Sequence, residues 1–158
     1  MKNEDKVIKI GIISDTHGSL KPEVKEALKG CMAVLHAGDI GSSRRILDEL
    51  CMEHSLYAVR GNNDGEWAAN LAKTLRFTIG GVSFFMVHNR MQVERNLDGV
   101  DVVVFGHTHK YYEGLSADGR LWLNPGSCAG LRCQPVTLAI MTIQNAHYQV
   151  KKIQLSAL

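Results

Sequence analysis

The sequence predicts an α/β protein in which two β-sheets pack against each other with helices outside. The first half alternates apolar runs with helical patterns in the order β-α-β-α-β, which is typical of a parallel sheet. The second half pairs apolar runs around turns, which is typical of antiparallel hairpins. No linker or internal repeat divides the 158 residues, so we expect a single domain over residues 1–158.

The first half should form three buried strands separated by two helices. Each strand is a short apolar run, and each helix has an N-terminal signal. Pro22 suits the first turn of one helix, and Ser42 or Ser43 can cap the other. The predicted order is a strand over residues 6–14, a helix over 22–29, a strand over 33–37, a helix from the two serines to about residue 53 and a strand over 56–60.

The second half should form three hairpins, one short helix and one further buried strand. Gly80-Gly81 and Asp118-Gly119 are turn signals between apolar runs. The predicted hairpin strands cover residues 75–79 with 82–87, 111–115 with 120–123, and 136–143 with 148–155. A helix over 92–97 and a strand over 100–105 should lie between the first two hairpins.

Composition narrows the classes of function. The net charge of +2 comes from mixed acidic and basic residues without a basic cluster, so no specific nucleic-acid partner is indicated. No apolar run is long enough to cross a membrane, and residues 1–5 are polar, so we expect a cytoplasmic protein. The cysteines form no Cys-x-x-Cys pair and are interpreted as free thiols: Cys31, Cys51, Cys128 and Cys133.

Asp15 and His17 follow the apolar run of the first strand. Because they are two residues apart, both side chains leave the same face of extended backbone. A carboxylate and an imidazole directed at one point can bind a divalent metal. The alternative interpretation is a helix-capping aspartate beside a surface histidine.

The second and third strands end in the same manner. Asp39 lies between Gly38 and Gly41, and Asn62 begins an Asn-Asn-Asp-Gly segment after Gly61. Each of these segments alone is ordinary turn chemistry. Three successive strands that end in polar residues beside glycine nevertheless indicate one site, because ligands bind at the carboxyl edge of open α/β sheets.

Histidines of the second half complete the pattern. His107 and His109 follow a buried strand at a spacing of two, and such imidazoles are useful when neutral and metal-bound. His88 follows another apolar run in an equivalent place. His36, inside the second strand, is interpreted as a packed histidine that supports the site and does not bind metal itself. The seven candidate ligands are enough to hold two metal ions around one shared carboxylate.

The complete set of motifs resembles the calcineurin-like metallophosphoesterase superfamily, in particular its small single-domain phosphodiesterase branch. The matching elements, in order, are Asp15-x-His17, Gly38-Asp39, Gly61-Asn62-Asn63-Asp64, His88, Gly106-His107-x-His109 and Asn124-Pro125-Gly126-Ser127. The resemblance implies a four-layer α/β/β/α sandwich. It also implies a hydrolase of phosphate esters that depends on two divalent metal ions.

The resemblance further implies a role for each motif. One metal would be bound by Asp15, His17 and His109, the other by Asn62, His88 and His107, with Asp39 bridging the two. Mn²⁺ is the favoured metal, and Fe, Zn²⁺, Ni²⁺ and Co²⁺ are alternatives. Asp39, Asn62 and His88 would be catalytic, through in-line attack on phosphorus by a metal-bridging hydroxide. Asp64, Asn124 and Ser127 would support the ligands.

Two positions depart from the family pattern. Asn63 stands where many members carry a histidine that contacts the phosphate or protonates the leaving group. General acid–base catalysis by such a side chain typically raises the reaction rate by about 10²–10⁴-fold. We therefore expect diesters to be better substrates than alkyl monoesters, and Asn63→His to raise monoesterase activity. Asn89-Arg90 stands where the family usually has glycine, and Arg90 either reaches substrate phosphate or points to solvent.

Partners and rival functions follow from the same resemblance. The substrate should be a small phosphate ester, and relatives self-associate, which implies a homodimer or homotetramer. A retromer subunit with this fold serves protein contacts after losing part of the ligand set, so a scaffold is the alternative function. The complete ligand set of this chain favours an enzyme. A zinc β-lactamase-like hydrolase would need a His-x-His-x-Asp-His run, which the sequence lacks.

Overall fold

The computed structural model of the chain describes residues 6–130 and 134–155. Two α-helices, two 3-10 turns and ten strands lie within these residues. The strands and helices, in chain order, are β1 (Ile8–Ile13), α1 (Pro22–Leu28), β2 (Ala33–His36), α2 (Arg45–Cys51), β3 (Ser55–Ala58), β4 (Thr74–Ile79), β5 (Val82–Val87), β6 (Val102–Val104), β7 (Tyr112–Leu115), β8 (Leu121–Asn124), β9 (Val136–Gln144) and β10 (His147–Leu155). The 3-10 turns are Glu66–Ala68 and Arg90–Gln92.

The strands form two five-stranded sheets. The first has the order β10-β9-β1-β2-β3, and the second has the order β4-β5-β6-β8-β7. β1, β2 and β3 are parallel, as the β-α-β-α-β pattern predicts. The three predicted hairpins are confirmed as the antiparallel pairs β4–β5, β7–β8 and β9–β10. The parallel run β5-β6-β8 is a feature that the sequence did not predict.

The space between the two sheets is filled by alternate residues of the facing strands. Ile12 and Leu35 of the first sheet and Phe84, Met86 and Val104 of the second belong to one buried cluster. Ile13, next to Ile12, belongs instead to the cluster beneath the helices. This alternation buries both faces of β1, because successive side chains of a strand point to opposite faces.

The two α-helices cover the outer face of the first sheet. Val24 and Leu28 of α1 and Ile46, Leu47 and Leu50 of α2 pack in one cluster with Val34, Leu138 and Ile140. The prediction that Ser42 or Ser43 is the N-cap of α2 is wrong, since Arg44 holds that position without a side-chain hydrogen bond. Ser43 still contributes nearby, because its Oγ accepts the Arg45 N–H at 3.3 Å. No helix in the described part of the chain is long and apolar enough to cross a membrane.

The outer face of the second sheet is covered by residues 89–100, which form the fourth layer. Val93 and Leu97 pack there on Phe85, Val87 and Val103. The helix predicted over 92–97 is wrong, because only the 3-10 turn precedes this stretch of irregular backbone. Side-chain oxygens of Asn89 and Asn96 accept backbone N–H groups two residues ahead, and such bonds compete with helix formation.

The predicted α/β sandwich with two packed sheets is confirmed by this architecture. Of the four cysteines, Cys31, Cys51 and Cys128 are free thiols as predicted, the first and last buried and Cys51 exposed. Cys133 and residues 1–5, on which other predictions rest, lie outside the described residues.

Candidate metal centre

The loops that follow β1, β2, β5 and β6 meet at one end of the sandwich. The Asp15 N–H donates to the carbonyl of Gly38 at 2.9 Å, which joins the first two loops. The Gly106 N–H donates to the carbonyl of His88 at 2.9 Å, which joins the last two. The His107 N–H donates to Asp15 Oδ2 at 3.1 Å and so connects the two sheets. Motifs far apart in sequence thereby come within hydrogen-bond distance.

The carboxylate of Asp15 lies at the centre of this region and is fully buried. Its Oδ2 atom accepts the hydroxyl of Ser14 at 2.6 Å in addition to the His107 N–H. Its Oδ1 atom is buried and has no hydrogen-bond partner among the described residues. Three imidazole Nε2 atoms surround Oδ1, at 3.3 Å (His109), 3.6 Å (His17) and 3.8 Å (His88).

His17 and His109 face each other beside this free oxygen. Their Nε2 atoms are 3.2 Å apart, and each side chain is 22% exposed. With Asp15 they form a group of one carboxylate and two imidazoles whose ligand atoms lie within 4.8 Å of one another. This donor set is suitable for a divalent transition metal, and it is the set predicted for the first metal.

His88 presents a second buried nitrogen without a partner. Its Nδ1–H donates to the carbonyl of Ala37 at 2.7 Å, which leaves the lone pair of Nε2 directed into the site. That Nε2 is 3.3 Å from Asp39 Oδ2 and has no hydrogen-bond partner within the described part of the chain. Asp15, Asp39 and His88 form a second group of potential ligands. A histidine whose other nitrogen is fixed by a backbone carbonyl is typical of metal sites.

Asp39 lies between the two groups. Its Oδ2 is 3.3 Å from His88 Nε2 and 3.8 Å from His17 Nε2. Asn63 holds the carboxylate with two hydrogen bonds, its N–H to Oδ1 at 2.9 Å and its Nδ2 to Oδ2 at 2.8 Å. This position fits a carboxylate shared by two ions, although Asp15 also belongs to both groups.

The same contacts set the charges of Asp39 and His88. Burial favours the neutral carboxyl, but the close imidazole of His88 and the hydrogen bonds from Asn63 outweigh burial and hold the pKa of Asp39 well below its usual range. Burial opposes protonation of His88, yet the neighbouring carboxylates of Asp39 and Asp15 raise its pKa above the ordinary value. The negative charges of Asp15 and Asp39 thus stabilise a proton on His88. A metal ion bound between these three side chains would take the place of that proton.

Asn62 and His107 extend the site toward solvent. The two side chains meet at 3.2 Å between Asn62 Oδ1 and His107 Nδ1, and both residues are exposed. The rings of His107 and His88 are in edge contact with centroids 5.3 Å apart. The three residues predicted to bind a second metal are therefore neighbours, although Asn62 and His107 lie outside the two tight groups found among the described residues.

Five of the seven candidate ligands have left-handed backbone. Their φ angles are positive at 54° (Asp15), 46° (His17), 54° (Asp39), 75° (His107) and 65° (His109). Elsewhere in the described chain, the positive φ values of residues other than glycine fall at Asn145 and Ala146, in the β9–β10 turn. Such a conformation costs roughly 1–3 kcal/mol for each residue and is found at functional sites that the surrounding structure holds in place.

Asp64, Asn124 and Ser127 lie behind the ligands, where the family pattern expects support. Asp64 accepts N–H groups from both neighbouring loops, those of Ile40, Gly41 and Gly61. Asn124 donates to the carbonyl of Gly106 and to the hydroxyl of Thr108 at 3.0 and 3.1 Å. Ser127 donates to the carbonyl of Asp15 at 2.8 Å. Each residue thus fixes a loop that carries a candidate ligand.

His36 is a buried histidine beside the site. Its Nδ1 accepts the Gly38 N–H at 3.1 Å, and its Nε2 contacts the hydroxyl of Thr16 at 2.9 Å. Thr16 donates in turn to the carbonyl of Ile40 at 2.7 Å, so Nε2 carries the proton of a neutral imidazole. Burial, assisted by the nearby His88, lowers the pKa of His36 to about 3. This environment matches the interpretation of His36 as a packed, supporting residue.

Arg90 is an exposed residue, and its guanidinium also packs on aromatic rings. Its guanidinium lies over the rings of Phe105, Tyr112 and Trp122, with the carbon 5.1–5.6 Å from the ring centroids. These contacts place it on an aromatic cluster at the outer face of the second sheet. Attraction between a guanidinium and aromatic faces accounts for this packing.

A cavity of about 310 Å³ adjoins the side of the site formed by Asn62 and His88. Arg60 and Lys73 also line it, and neither was predicted from the sequence to belong to the site. The supporting contacts of Ser14 and Thr16 were also not predicted, although both residues are direct neighbours of Asp15 in the sequence. A groove of about 390 Å³ between α1 and α2 contains none of the site residues.

Comparison with known proteins agrees with the motifs. The model of the calcineurin-like phosphoesterase superfamily domain matches residues 8–146. A phosphodiesterase of Methanocaldococcus jannaschii is 30% identical over 164 residues, covering 90% of this chain and 97% of that protein. An archaeal phosphodiesterase structure has a TM-score of 0.76 at 28% identity and covers 94% of this chain and 100% of its own.

A second type of protein has the same fold. Vps29 of Chaetomium thermophilum has a TM-score of 0.74 at 20% identity, with coverage of 94% of this chain and 97% of that chain. At this identity the likeness concerns the fold alone. The family model covers most of the chain, and the sequence resemblance is confirmed: the chain belongs to the calcineurin-like phosphoesterase superfamily.

Proposed function

We propose that the protein is a metal-dependent phosphodiesterase with a dinuclear centre at this site. The observation that carries the proposal is a pair of buried atoms, Asp15 Oδ1 and His88 Nε2, which lie 3.8 Å apart beside Asp39 and have no hydrogen-bond partner in residues 6–130 and 134–155. Leaving polar atoms buried without partners costs about 1–3 kcal/mol each. Both atoms are of types that bind metal, and the imidazoles of His17 and His109 lie beside them. A bound cation would give each of these atoms the partner that it lacks among the described residues.

The donor set supports the two-metal assignment. Asp15, His17 and His109 would hold one ion, Asn62, His88 and His107 the other, and Asp39 would be shared. Nitrogen and oxygen donors without thiolate suit Mn²⁺, and equally Fe, Zn²⁺, Ni²⁺ or Co²⁺. Bound ions of this kind polarise phosphoryl oxygens and supply an activated water at neutral pH.

The protein's own residues orient this chemistry. The Ala37 carbonyl keeps the proton of His88 on Nδ1, so that Nε2 remains a ligand. Asn63 fixes both oxygens of Asp39 and has no imidazole to offer a leaving group. This arrangement supports the expectation that diesters with good leaving groups react better than alkyl monoesters. A scaffold role, which the fold shared with Vps29 suggests, needs none of these donors.

The test measures metal content and hydrolysis together. Purified protein is loaded with Mn²⁺, Zn²⁺, Ni²⁺, Co²⁺ or Fe²⁺ and assayed with bis(p-nitrophenyl) phosphate. We expect about two ions per chain in the best case, and we expect Asp39→Asn to lose bound metal and hydrolysis. Asp98→Asn, an exposed aspartate away from the candidate ligands, is the matched control. An inert, metal-replete protein would support the scaffold.

Two further predictions concern assembly and specificity. Light scattering during size-exclusion chromatography checks the predicted homodimer or homotetramer, and a monomer would contradict it. Asn63→His should raise the rate on p-nitrophenyl phosphate relative to the diester. The cytoplasmic location stays a prediction from the sequence.

A further inference from the structure

The cavity beside Asn62 and His88 has a positively charged wall. Arg60 and Lys73 line it together with Asn89 and Gln92, and none of the described residues that line it is an aspartate or a glutamate. At about 310 Å³ it is near the lower end of the roughly 300–1,000 Å³ range of small-molecule sites. Its contact with two candidate ligands means that a substrate reacting at the metal centre can extend into it.

The two cations of the wall are held in different ways. Arg60 donates through Nε and Nη2 to the carbonyl of Asp64 at 3.4 and 3.3 Å, so its position is fixed by a neutral partner. Lys73 is exposed and makes no ion pair or hydrogen bond within the described residues. Neither charge is neutralised by a carboxylate there. A fixed guanidinium beside a free ammonium is an arrangement suited to phosphate.

We propose that this cavity binds a second phosphate group of the substrate, so that the preferred substrates are phosphodiesters carrying a further phosphomonoester. The proposal rests on the phosphodiesterase function proposed above. The scissile diester occupies the metal centre, while the additional phosphate contacts Lys73 and Arg60. Because that second group does not react, its contacts act on substrate selection.

The hydrolysis test compares two substrates with the same leaving group. These are thymidine 5′-(p-nitrophenyl phosphate) and the same compound with a 3′-phosphate. We expect wild-type kcat/KM to be roughly fivefold higher for the 3′-phosphorylated compound, the upper value for one exposed ion pair. Lys73→Met should remove this preference, measured as the ratio of the two kcat/KM values, and Lys73→Arg should retain it.

A lysine on β10, the edge of the first sheet opposite β3 and the Arg60 loop that follows it, provides the matched control. Lys151 lies on β10, is exposed, and is separated from β3 by the whole width of that sheet. Lys151→Met removes the same charge from the protein and should leave the preference intact. An equal preference in wild type and Lys73→Met, or no preference in wild type, would overturn the proposal.

A binding experiment separates this proposal from the catalytic one. Calorimetry compares thymidine 3′,5′-bisphosphate with thymidine 5′-monophosphate on Mn²⁺-loaded protein, and no hydrolysis is needed. Tighter binding of the bisphosphate that Lys73→Met abolishes supports the cavity even if every diester is inert. Equal affinity, or no binding of either compound, counts against the cavity even if diesters are hydrolysed.

Discussion

His36 should make the metal-free protein lose stability in mild acid. Its imidazole is fully buried and neutral, with Nδ1 accepting from Gly38 and Nε2–H donating to Thr16. A second proton would have to displace the Gly38 N–H. Burial, with the charge of His88 next in importance, lowers the pKa of His36 from 6.5 to about 3.

The size of the effect follows from proton linkage. Because the folded-state pKa is depressed, the unfolded chain takes up the proton first, and stability falls as the pH drops from 6.5 toward 3. At about pH 5 the unfolded state is almost fully protonated at this histidine and the folded state is almost unprotonated. This pH is about 1.5 units below 6.5, and about 1.36 kcal/mol per unit gives a loss of about 2 kcal/mol.

The variant His36→Gln isolates this contribution. Glutamine can still donate to Thr16 and does not titrate, while the Gly38 N–H loses its acceptor at a cost of about 1–3 kcal/mol. Urea denaturation in EDTA should show wild type to be more stable by that amount near pH 8. Near pH 5 the difference should be smaller by about 2 kcal/mol, since other titrating groups contribute equally to both proteins.

An unchanged difference between the two pH values would refute this reasoning. It would mean that the buried site accepts the proton, for example by turning the Gly38 N–H toward another acceptor. His147→Gln provides the control, because His147 is exposed at the start of β10 and should show no such pH-dependent difference. EDTA is needed because metal bound near His36 would itself alter the proton equilibrium.

Two further predictions concern the hydrogen bonds and the packing around Asp39. Asn63→Ala removes the 2.8 Å bond from Nδ2 and should destabilise the metal-free protein by about 1.5 kcal/mol in urea denaturation. Asn70→Ala, at an exposed position, should cost less than about 0.5 kcal/mol, and equal losses would contradict the role of Asn63. Gly61→Ala would place a Cβ against the backbone nitrogen of Asp39, so we expect a loss of about 1–3 kcal/mol and weaker Mn²⁺ binding by calorimetry. Gly65→Ala, whose Cβ would meet no atom within 4 Å, should change neither quantity.

Much of the fold could be predicted because apolar runs and turn residues are local signals. The three parallel strands and three hairpins were predicted within a few residues of their observed bounds. A helix was predicted over residues 92–97 but does not form. The spacing of Val93 and Leu97 is typical of a helix, but the side chains of Asn89 and Asn96 accept local backbone N–H groups instead. The parallel pairing of β5, β6 and β8 was also missed, since pairing between distant strands has no local signal.

In the candidate site, too, the residues with a local sequence signal were predicted and the contacts between distant residues were not. The sequence placed Asp15, Asp39 and His88 together because polar residues at strand ends meet at one edge of a sheet. From the sequence, Asn63 was interpreted only as a position that lacks the usual histidine proton donor. The structure shows that its side chain donates a hydrogen bond to Asp39. The sequence had no means of finding Lys73, which lies in a loop without a motif and reaches the cavity only through the fold.

The fold does not distinguish an enzyme from a scaffold, because Vps29 has the same fold. The backbone conformation of the candidate ligands is more informative. Left-handed backbone at five candidate ligands is a standing cost of roughly 1–3 kcal/mol for each residue. Glycine would relieve that cost at any of these positions, but it would remove the carboxylate or imidazole. A protein that used this face only for protein contacts would have no use for an imidazole at His17, His107 or His109 to set against that cost. Asp15 and Asp39 also accept hydrogen bonds that hold the loops, so their side chains have a second role. The presence of three histidines with left-handed backbone around buried carboxylates therefore favours a site that binds metal.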